Sequence, residues 1–349
     1  MTGDNKVASD RRVGPHVFGL SPSIVATLIL ISPILFTLFA YPSSFTLSWN
    51  EGRGGFLFAM AFIAAELIGL KYSLTKKSLI VAGGMAAVTM LYFAVLPYGL
   101  DEYIRDGKDV YNVTLVDSWM WMWDFIIMAL FVVSSLVLLF GKKWYRIASA
   151  GAIYLAGSAL ILALDAFFPF DSLGPLQIVV PIYLQIDQTI LNLIDTSIIN
   201  IGPASDNSSL QPAMARGNLL VLNGLHGPFA LQVFWPSAGV HSIIIYSLVM
   251  LALLIKMDMP LTRKLVYFAA GTLGTIVINL VRIVSLSLYA LVVTTNVQQW
   301  EAFHSVAGEI MFLPWLGVYL ATVIYIENKR LRRLHAGETS TAASNQPIR

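Results

Sequence analysis

Three polar residues in the last third of the sequence are of the types that acyl transfer requires. Ser237 lies in WPSAGVHS, Arg282 lies in NLVRI, and His304 lies in FHSVAGEIMF. A serine hydroxyl can attack a carbonyl carbon when a histidine removes its proton and later returns the proton to the leaving amine. Arginine stays protonated at ordinary pH, so Arg282 is expected to stabilise charge or to dock the substrate. Backbone N–H groups at the start of the helix that follows Ser237 are expected to bind the developing oxyanion.

Two further histidines leave the identity of the base open. His241 follows Ser237 by one helical turn on the same face, so it is either the base itself or a packing and hydrogen-bonding partner. His226, near turn residues, is a third candidate. Ser237 also fits the N-cap position of a helix, where its hydroxyl would accept a backbone N–H bond.

Other site chemistry is restricted by composition. The chain has no cysteine, which excludes disulfides, thiolate metal sites and a cysteine nucleophile. Asn279 and Glu309 are accessory candidates beside the three main residues, and neither a metal nor a cofactor is expected. The basic residues are spread between apolar segments, so no nucleic-acid partner is expected either.

The elements that must position these residues are transmembrane helices. Hydrophobic residues make up 57% of the 349 residues and charged residues 12%, and the mean hydropathy is +0.72. A soluble domain carries about twice that charged fraction. This composition predicts an all-α polytopic membrane protein, most of which lies in lipid.

Eight apolar segments are long enough to cross a bilayer, which needs about 20 helical residues. They are residues 22–41, 54–72, 78–98, 119–141, 146–168, 238–256, 265–290 and 306–326. They divide the chain into a cytoplasmic segment (1–21), five spans (22–168), an outer loop (169–237), three spans (238–326) and a basic tail (327–349). The tail is expected to be disordered after Arg333. The first 20 residues lack the apolar core of a cleavable signal peptide.

The basic residues predict the orientation of these spans. The segments between the spans alternate between the two sides of the membrane. Of the 22 lysines and arginines, 17 fall on the side that holds both termini and four on the opposite side, and Arg282 lies inside a span. The positive-inside rule therefore predicts cytoplasmic termini in a plasma-membrane protein. With a rise of about 1.5 Å per residue, Ser237, Arg282 and His304 then lie near the outer ends of three consecutive helices.

The outer loop and the isolated acids are also interpretable. Residues 175–202 predict an amphipathic helix that lies in the membrane interface or forms a re-entrant element, with Asp187 and Asp195 at near-helical spacing from Ile190, Ile194 and Ile198. Residues 218–235 predict a hairpin with Asn223-Gly224 and Gly227-Pro228 as turn residues. Asp124 and Asp165 are expected to reach interface water, whereas Glu66 is expected to pair structurally with another helix.

The ordered set of motifs resembles the exosortase/archaeosortase family of membrane-embedded protein-sorting enzymes. That family has about eight spans, and a nucleophilic cysteine followed by a small residue and glycine at the outer start of a late span. An Asn-x-x-Arg motif lies on the next helix, and a histidine opens the last one. Here Ser237-Ala238-Gly239, Asn279 with Arg282, and His304 with Gly308 stand in the same order, and Ser242 stands where a small or hydroxyl residue is typical. The resemblance covers residues 210–325.

The resemblance implies a peptidase or transpeptidase at the outer face of the membrane. It would cleave exported proteins near a C-terminal sorting signal, made of a short motif, a span and a basic tail. The new carboxyl terminus would pass to an acceptor, expected to be a lipid. Ser237 would be the nucleophile, Arg282 the stabilising cation and His304 the general base and acid.

The nucleophile is where this sequence departs from the family. Ser237 stands where the family has cysteine, and serine is the poorer nucleophile without a strong base. Three origins stay open: a natural archaeal serine branch of the thaumarchaeosortase type, an exchange of cysteine for serine, and an inactive relative.

Two other functions also stay open. A hydrolytic intramembrane serine protease would use the same residues and would differ only in its product. A transporter or scaffold would not use them for catalysis. Transporters usually show paired broken helices near the midplane in two related halves, whereas this sequence has no internal repeat and its polar cluster is at the outer edge.

Overall fold

The chain forms two compact units, each built mainly from helices. A computed structural model describes residues 21–46, 52–68, 70, 72–168, 177–193 and 212–344, with the side chains of 309 and 334–344 excluded. The first unit consists of Met1–Val179 with Phe234–Asp258, and the second of Val180–Val233 with Met259–Arg349. The predicted N-terminal segment and Asp195 lie outside the described residues.

The helices of the first unit are set by long apolar runs and by polar caps. Ser21 accepts a hydrogen bond from the backbone of Ile24, and Thr75 accepts one from Ser78, so both serve as N-caps. The helices are α1 (Pro22–Ala40), α2 (Gly55–Leu67), α3 (Lys76–Val95), α4 (Leu100–Val110), α5 (Val116–Phe140), α6 (Trp144–Ile147), α7 (Ala150–Phe167) and, after a short π-helical segment at Pro236–Val240, α9 (His241–Lys256).

Aromatic packing and close helix approach hold the first unit together. The fully buried ring of Phe56 packs against Phe93 and Phe125, with centroids 6.1 and 4.7 Å away. The helix α7 contacts α2, α5 and α9. At the crossing with α9, a β-carbon on Gly157 would overlap the side chain of Leu248. This glycine lets the two backbones approach closely, as small residues do in membrane proteins.

The second unit combines helices with a small sheet. Its helices are α8 (Val179–Leu191), which begins on the last residue of the first unit, α10 (Leu261–Val292) and α11 (Val297–Ser344). The strands β1 (Ala213–Arg216), β2 (Leu219–Gly224) and β3 (Gly227–Gln232) form an antiparallel sheet in the order β1-β2-β3. The helix α10 packs on α11 and on β2.

The predicted hairpin is confirmed, but its predicted turns are wrong. Asn223 pairs with Pro228 and Gly224 pairs with Gly227, so these residues end the ladder and the turn itself is Leu225-His226. The glycines serve other needs. A β-carbon on Gly224 would collide with the backbone of Leu291 in α10, and Gly227 has a φ of 111°. The Leu225 N–H donates to the Leu291 carbonyl at 2.8 Å, which fixes the hairpin tip on α10.

The fold is that of a membrane-embedded, multi-pass helical protein. Among the described residues, seven helices are long and apolar enough to cross a bilayer. The predicted second span, residues 54–72, is wrong in length, because α2 ends at Leu67 after 13 residues. That length corresponds to about 20 Å of helix, against a hydrocarbon core of about 30 Å.

The last helix is longer than the sequence suggests. The tail after Arg333 was expected to be disordered, yet α11 continues to Ser344. The segment after Arg333 contains three alanines and no proline, and the next proline is Pro347, so no residue in it forces the helix to end. Pro314 lies inside this helix. Residues 345–349 of the predicted tail lie outside the described residues.

Candidate active site

Ser237 lies in a distorted turn immediately before α9. Pro236–Val240 forms one π-helical turn that is broken at Gly239, whose φ of 91° and ψ of 12° are non-helical. A residue with a β-carbon rarely adopts such a φ, which explains glycine at this position. Single π-helical turns are frequent at functional sites. Ser237 is half-buried here, whereas Ala238 and Gly239 are buried.

The N-cap interpretation of Ser237 is wrong. The residue before the π-helical turn is Trp235, the residue before α9 is Val240, and neither helix start has a side-chain cap bond. Ser237 instead lies one residue inside the turn. The Ala238 N–H donates to the Phe234 carbonyl at 2.9 Å, so this N–H is already used and is unsuitable as an oxyanion donor.

A buried acid holds His241, which follows Ser237 by four residues. The Nε2 atom of His241 lies 3.1 Å from Oδ1 of Asp165 on α7, and both residues are buried. When the Nε2–H donates to the carboxylate, the lone pair is on Nδ1, which is the tautomer that can accept a hydroxyl proton there. In the familiar Ser-His-Asp triad the two nitrogens have the reverse roles.

Trp235 restricts the His241 ring from a second direction. Its indole is fully buried and meets the imidazole edge to face, with centroids 5.2 Å apart and planes at 88°. The backbone N–H of Trp235 donates to the side-chain oxygen of Gln177 at 2.9 Å, which fixes the backbone that carries this indole. The imidazole is thus held by a hydrogen bond and by packing, as a preorganised base requires.

Asp165 is a candidate site residue that the sequence does not identify. The sequence places it near the end of a span and suggested contact with interface water, but it is 8% exposed. Nothing in the spacing links position 165 with position 241. The pairing depends on the crossing of α7 and α9, and only the apolar depth of Asp165 could have indicated a partner.

Arg282 and His304 come together within the second unit. Arg282, on α10, directs its guanidinium at α11, where a β-carbon on Gly308 would lie 3.2 Å from Nη1. Gly308 follows His304 by one helical turn, and the Arg282 and His304 side chains are close enough to interact electrostatically. The position of the guanidinium explains glycine at 308, because a larger side chain there would displace it.

Trp300 orients the His304 ring. The two rings stack with centroids 5.1 Å apart and planes at 16°. The indole N–H of Trp300 donates to the Leu286 carbonyl on α10 at 3.2 Å, and its ring also packs on Phe229 of β3. The orientation of His304 thus depends on both α10 and the sheet. Trp300 was not identified from the sequence, because a tryptophan near a span end is ordinarily an interface anchor.

The predicted site residues therefore fall into two local groups. Ser237 belongs to the first unit with His241 and Asp165, and Arg282 belongs to the second with His304. Asn279 is buried one turn before Arg282, and His226 lies in the hairpin turn. Glu309 is part of α11, but its side chain lies outside the described residues.

The other two acids of the spans have structural partners. Asp124 was expected to reach water, but it is 3% exposed and bonded to Arg53, with Nε to Oδ2 at 2.8 Å. Tyr92 donates to its other oxygen at 3.0 Å. The prediction that Glu66 pairs with another helix is confirmed, because it forms an ion pair with Lys256 and accepts the first N–H of α7.

No relative defines the function of this chain. No protein-family model, curated protein or solved structure matches it. In the part of the chain that the structure describes, no three histidine or acidic side chains cluster as metal ligands. The side chains of the two groups are of the types that serve in acid–base and nucleophilic chemistry.

Proposed function

We propose that this protein is a membrane-embedded serine peptidase or transpeptidase of the protein-sorting type. Its substrates would be exported proteins with a C-terminal sorting signal, and its acceptor a lipid. The observation that carries the proposal is the buried Asp165–His241 pair, four residues after Ser237 and just beyond the helix break at Gly239. A serine, an imidazole and an orienting carboxylate are the parts of an activated nucleophile.

In the proposed reaction, the Ser237 hydroxyl attacks the scissile carbonyl while His241 takes the hydroxyl proton. The proton then passes to the leaving amine as the peptide C–N bond breaks, which leaves the substrate as an ester on Ser237. A hydroxyl or amine of the acceptor attacks this ester and restores the serine. Attack by water instead would make the protein a hydrolytic protease.

Arg282 keeps the role that the sequence suggests, whereas His304, the base predicted from the sequence, comes second to His241 in the proposal. Arg282 is proposed to stabilise the negative charge of the tetrahedral intermediate or of a substrate carboxylate, since its guanidinium is a permanent cation with planar donors. His304 remains the second candidate for the base. Its stacking on Trp300 and its proximity to Arg282 support a defined role for this ring.

The membrane arrangement is part of the proposal. We propose eight spans with α2 as the shortest, cytoplasmic termini, and a plasma-membrane location with the site at the outer face. The distribution of lysine and arginine supports this orientation. A span shorter than the bilayer core is accommodated by local thinning of the bilayer, and α2 packs on α1 and α7.

Serine-directed labelling tests the nucleophile without a known substrate. A fluorophosphonate should modify the detergent-solubilised protein at Ser237, and intact mass should show loss of the adduct in Ser237→Ala. The matched control is Ser247→Ala on α9, where the hydroxyl bonds to the Ile243 carbonyl and is not activated. Equal labelling of Ser237→Ala and the unchanged protein would remove Ser237 as the nucleophile.

The absence of cysteine allows the base to be identified by alkylation. In Ser237→Cys the only thiol is at the site, so the rate of iodoacetamide modification against pH reports how far the thiolate is stabilised. If His241 is the base, adding His241→Ala should return the profile to that of Ser247→Cys, whereas His304→Ala should not. The reverse result would assign the base to His304. Mass spectrometry of a processed reporter then separates a free carboxyl terminus from an acceptor adduct.

A further inference from the structure

The helix α8 buries its acidic residue and exposes its isoleucines. Asp187 is 0% exposed, and its Oδ2 accepts a hydrogen bond from Ser287 of α10 at 2.8 Å. The opposite face carries large apolar side chains at helical spacing, all exposed. These are Ile178, Ile182, Ile186, Ile190 and Leu193, which we call the isoleucine stripe. The sequence predicts an amphipathic helix, but the usual arrangement of its two faces is reversed.

The isoleucine stripe carries no charge. Ile182 is 56% exposed and Ile186 is 41% exposed, and the polar residues at its border, Gln185 and Thr189, are uncharged. Water is therefore an unfavourable neighbour for this face. The spanning helix α10 shows the same pattern, with Leu273, Val277 and Val281 exposed at intervals of four. Lipid covers such a stripe on a spanning helix.

The polar side of α8 satisfies a sheet edge that would otherwise need water. The strand β1 is at the edge of the sheet. Asn192 accepts from the Ala213 N–H at 3.0 Å and donates to the Ala213 carbonyl at 3.2 Å, and Gln188 accepts from the Ala215 N–H at 2.9 Å. Open sheet edges do not occur in hydrocarbon, because nothing there can bond to their backbone groups. Here side-chain amides provide the missing partners.

We infer that α8 is immersed in the acyl chains of one bilayer leaflet, with the isoleucine stripe against lipid. The reversed faces, the absence of charge on the stripe and the amide-bonded edge of β1 all fit a surrounding phase without water. The helix has 13 residues, or about 20 Å, which is too short to cross the core of about 30 Å. It is a lipid-facing element that does not span the membrane.

A nitroxide scan tests this inference on the full-length chain. Single cysteines at positions 180–190 of the cysteine-free protein are spin-labelled and reconstituted in phosphatidylcholine vesicles. Collision with oxygen, which concentrates in lipid, is compared with collision with a water-soluble nickel chelate. Labels at Ile182, Ile186 and Ile190 should show several-fold more oxygen than nickel accessibility. Labels at Val180 and Leu184, which are buried, should be low for both.

Two results would overturn the inference. Higher nickel than oxygen accessibility at the stripe would mean that it faces water. Low values for both reagents would mean that protein covers it, and disulfide cross-linking between Ile182→Cys copies would then identify a second copy of this chain. If a buried label prevents folding at Leu184, an Ile182→Asp variant provides the check. It should lower the yield of membrane-integrated protein several-fold, whereas Gln185→Asp at the border should not.

Discussion

Two buried aspartates of the first unit have partners of different chemical kinds, an arginine for Asp124 and a histidine for Asp165. Asp124 lies against Arg53, whose guanidinium also donates to Ser44 and lies 4.7 Å from the Tyr41 ring and 4.9 Å from the Trp121 ring. Asp165 lies against His241, the first residue of α9. The helix break at Gly239 separates His241 from Ser237 along the chain. The first pair has a permanent cation enclosed by aromatic rings. The second has a group that can gain and lose a proton.

Because of this difference, the arginine pair is suited to stabilising the fold, whereas the histidine pair is suited to proton transfer. Arginine remains charged at all ordinary pH values, so the Arg53–Asp124 pair can neutralise and position but cannot move a proton. An imidazole can act as a general base and a general acid, so the His241–Asp165 pair is of a type that can position a side chain and also transfer a proton. Burial alone therefore does not mark an active site. We therefore base the proposed active site on three features together: a buried acid, a histidine partner and a distorted backbone.

The largest expected effect is on the rate of serine modification in Asp165→Asn. An asparagine amide would donate to Nε2 and force the proton onto Nδ1, which removes the acceptor for the serine proton. The rate of fluorophosphonate labelling should fall about 10⁴-fold, or about 5.5 kcal/mol in activation free energy. Thermal unfolding in detergent should change little. A large loss of stability with an unchanged labelling rate would make this pair structural, like the other.

The next effect is on stability, in Arg53→Met. Removing the cation leaves the Asp124 carboxylate buried without its charge partner, which should cost about 3–5 kcal/mol. The midpoint of thermal unfolding in detergent should fall accordingly, and the double variant Arg53→Met with Asp124→Leu should recover much of it. Arg105→Met, at an exposed arginine, is the control. A stable Arg53→Met protein that lost only serine labelling would reverse the comparison.

A third buried acid gives the smallest effect and a pH dependence. Burial raises the pKa of Asp187 from 3.8 to about 6, although the hydrogen bond from Ser287 opposes this shift. The folded state then binds the proton more tightly than the unfolded state does. The contribution is fully present below about pH 4 and is lost as pH rises to about 6, by an amount on the order of 2–3 kcal/mol.

Asp187→Asn should remove that dependence, because the amide resembles the protonated acid. Unfolding midpoints at pH 4.5 and pH 8 should differ less in this variant than in the unchanged protein. The variant should also be the more stable of the two at pH 8. A variant that is less stable at both pH values would contradict the raised pKa of Asp187.

The sequence predicts most of the helices because their apolar length is a local property. It also predicts the hairpin from glycine and asparagine, although the glycines are used for contact with Leu291 and for a positive φ rather than at the turn positions. It does not predict the burial of Asp124, Asp165 and Asp187. Each of these acids depends on a partner 71, 76 or 100 residues away, and such pairings follow from helix crossings rather than from spacing.

The proline in α11 determines how this long helix can deform. Pro314 lacks an N–H and crowds the preceding turn, so bending of the helix is concentrated there. Beyond it, Trp315 donates to Thr275 and Glu327 accepts from Tyr267, which ties that part to α10. The part before it is also tied to α10 and to the sheet, because Trp300 donates to the Leu286 carbonyl and packs on Phe229. A bend at Pro314 would therefore move the His304 ring only if these contacts of Trp300 break, so the tryptophan sets how far the histidine can travel.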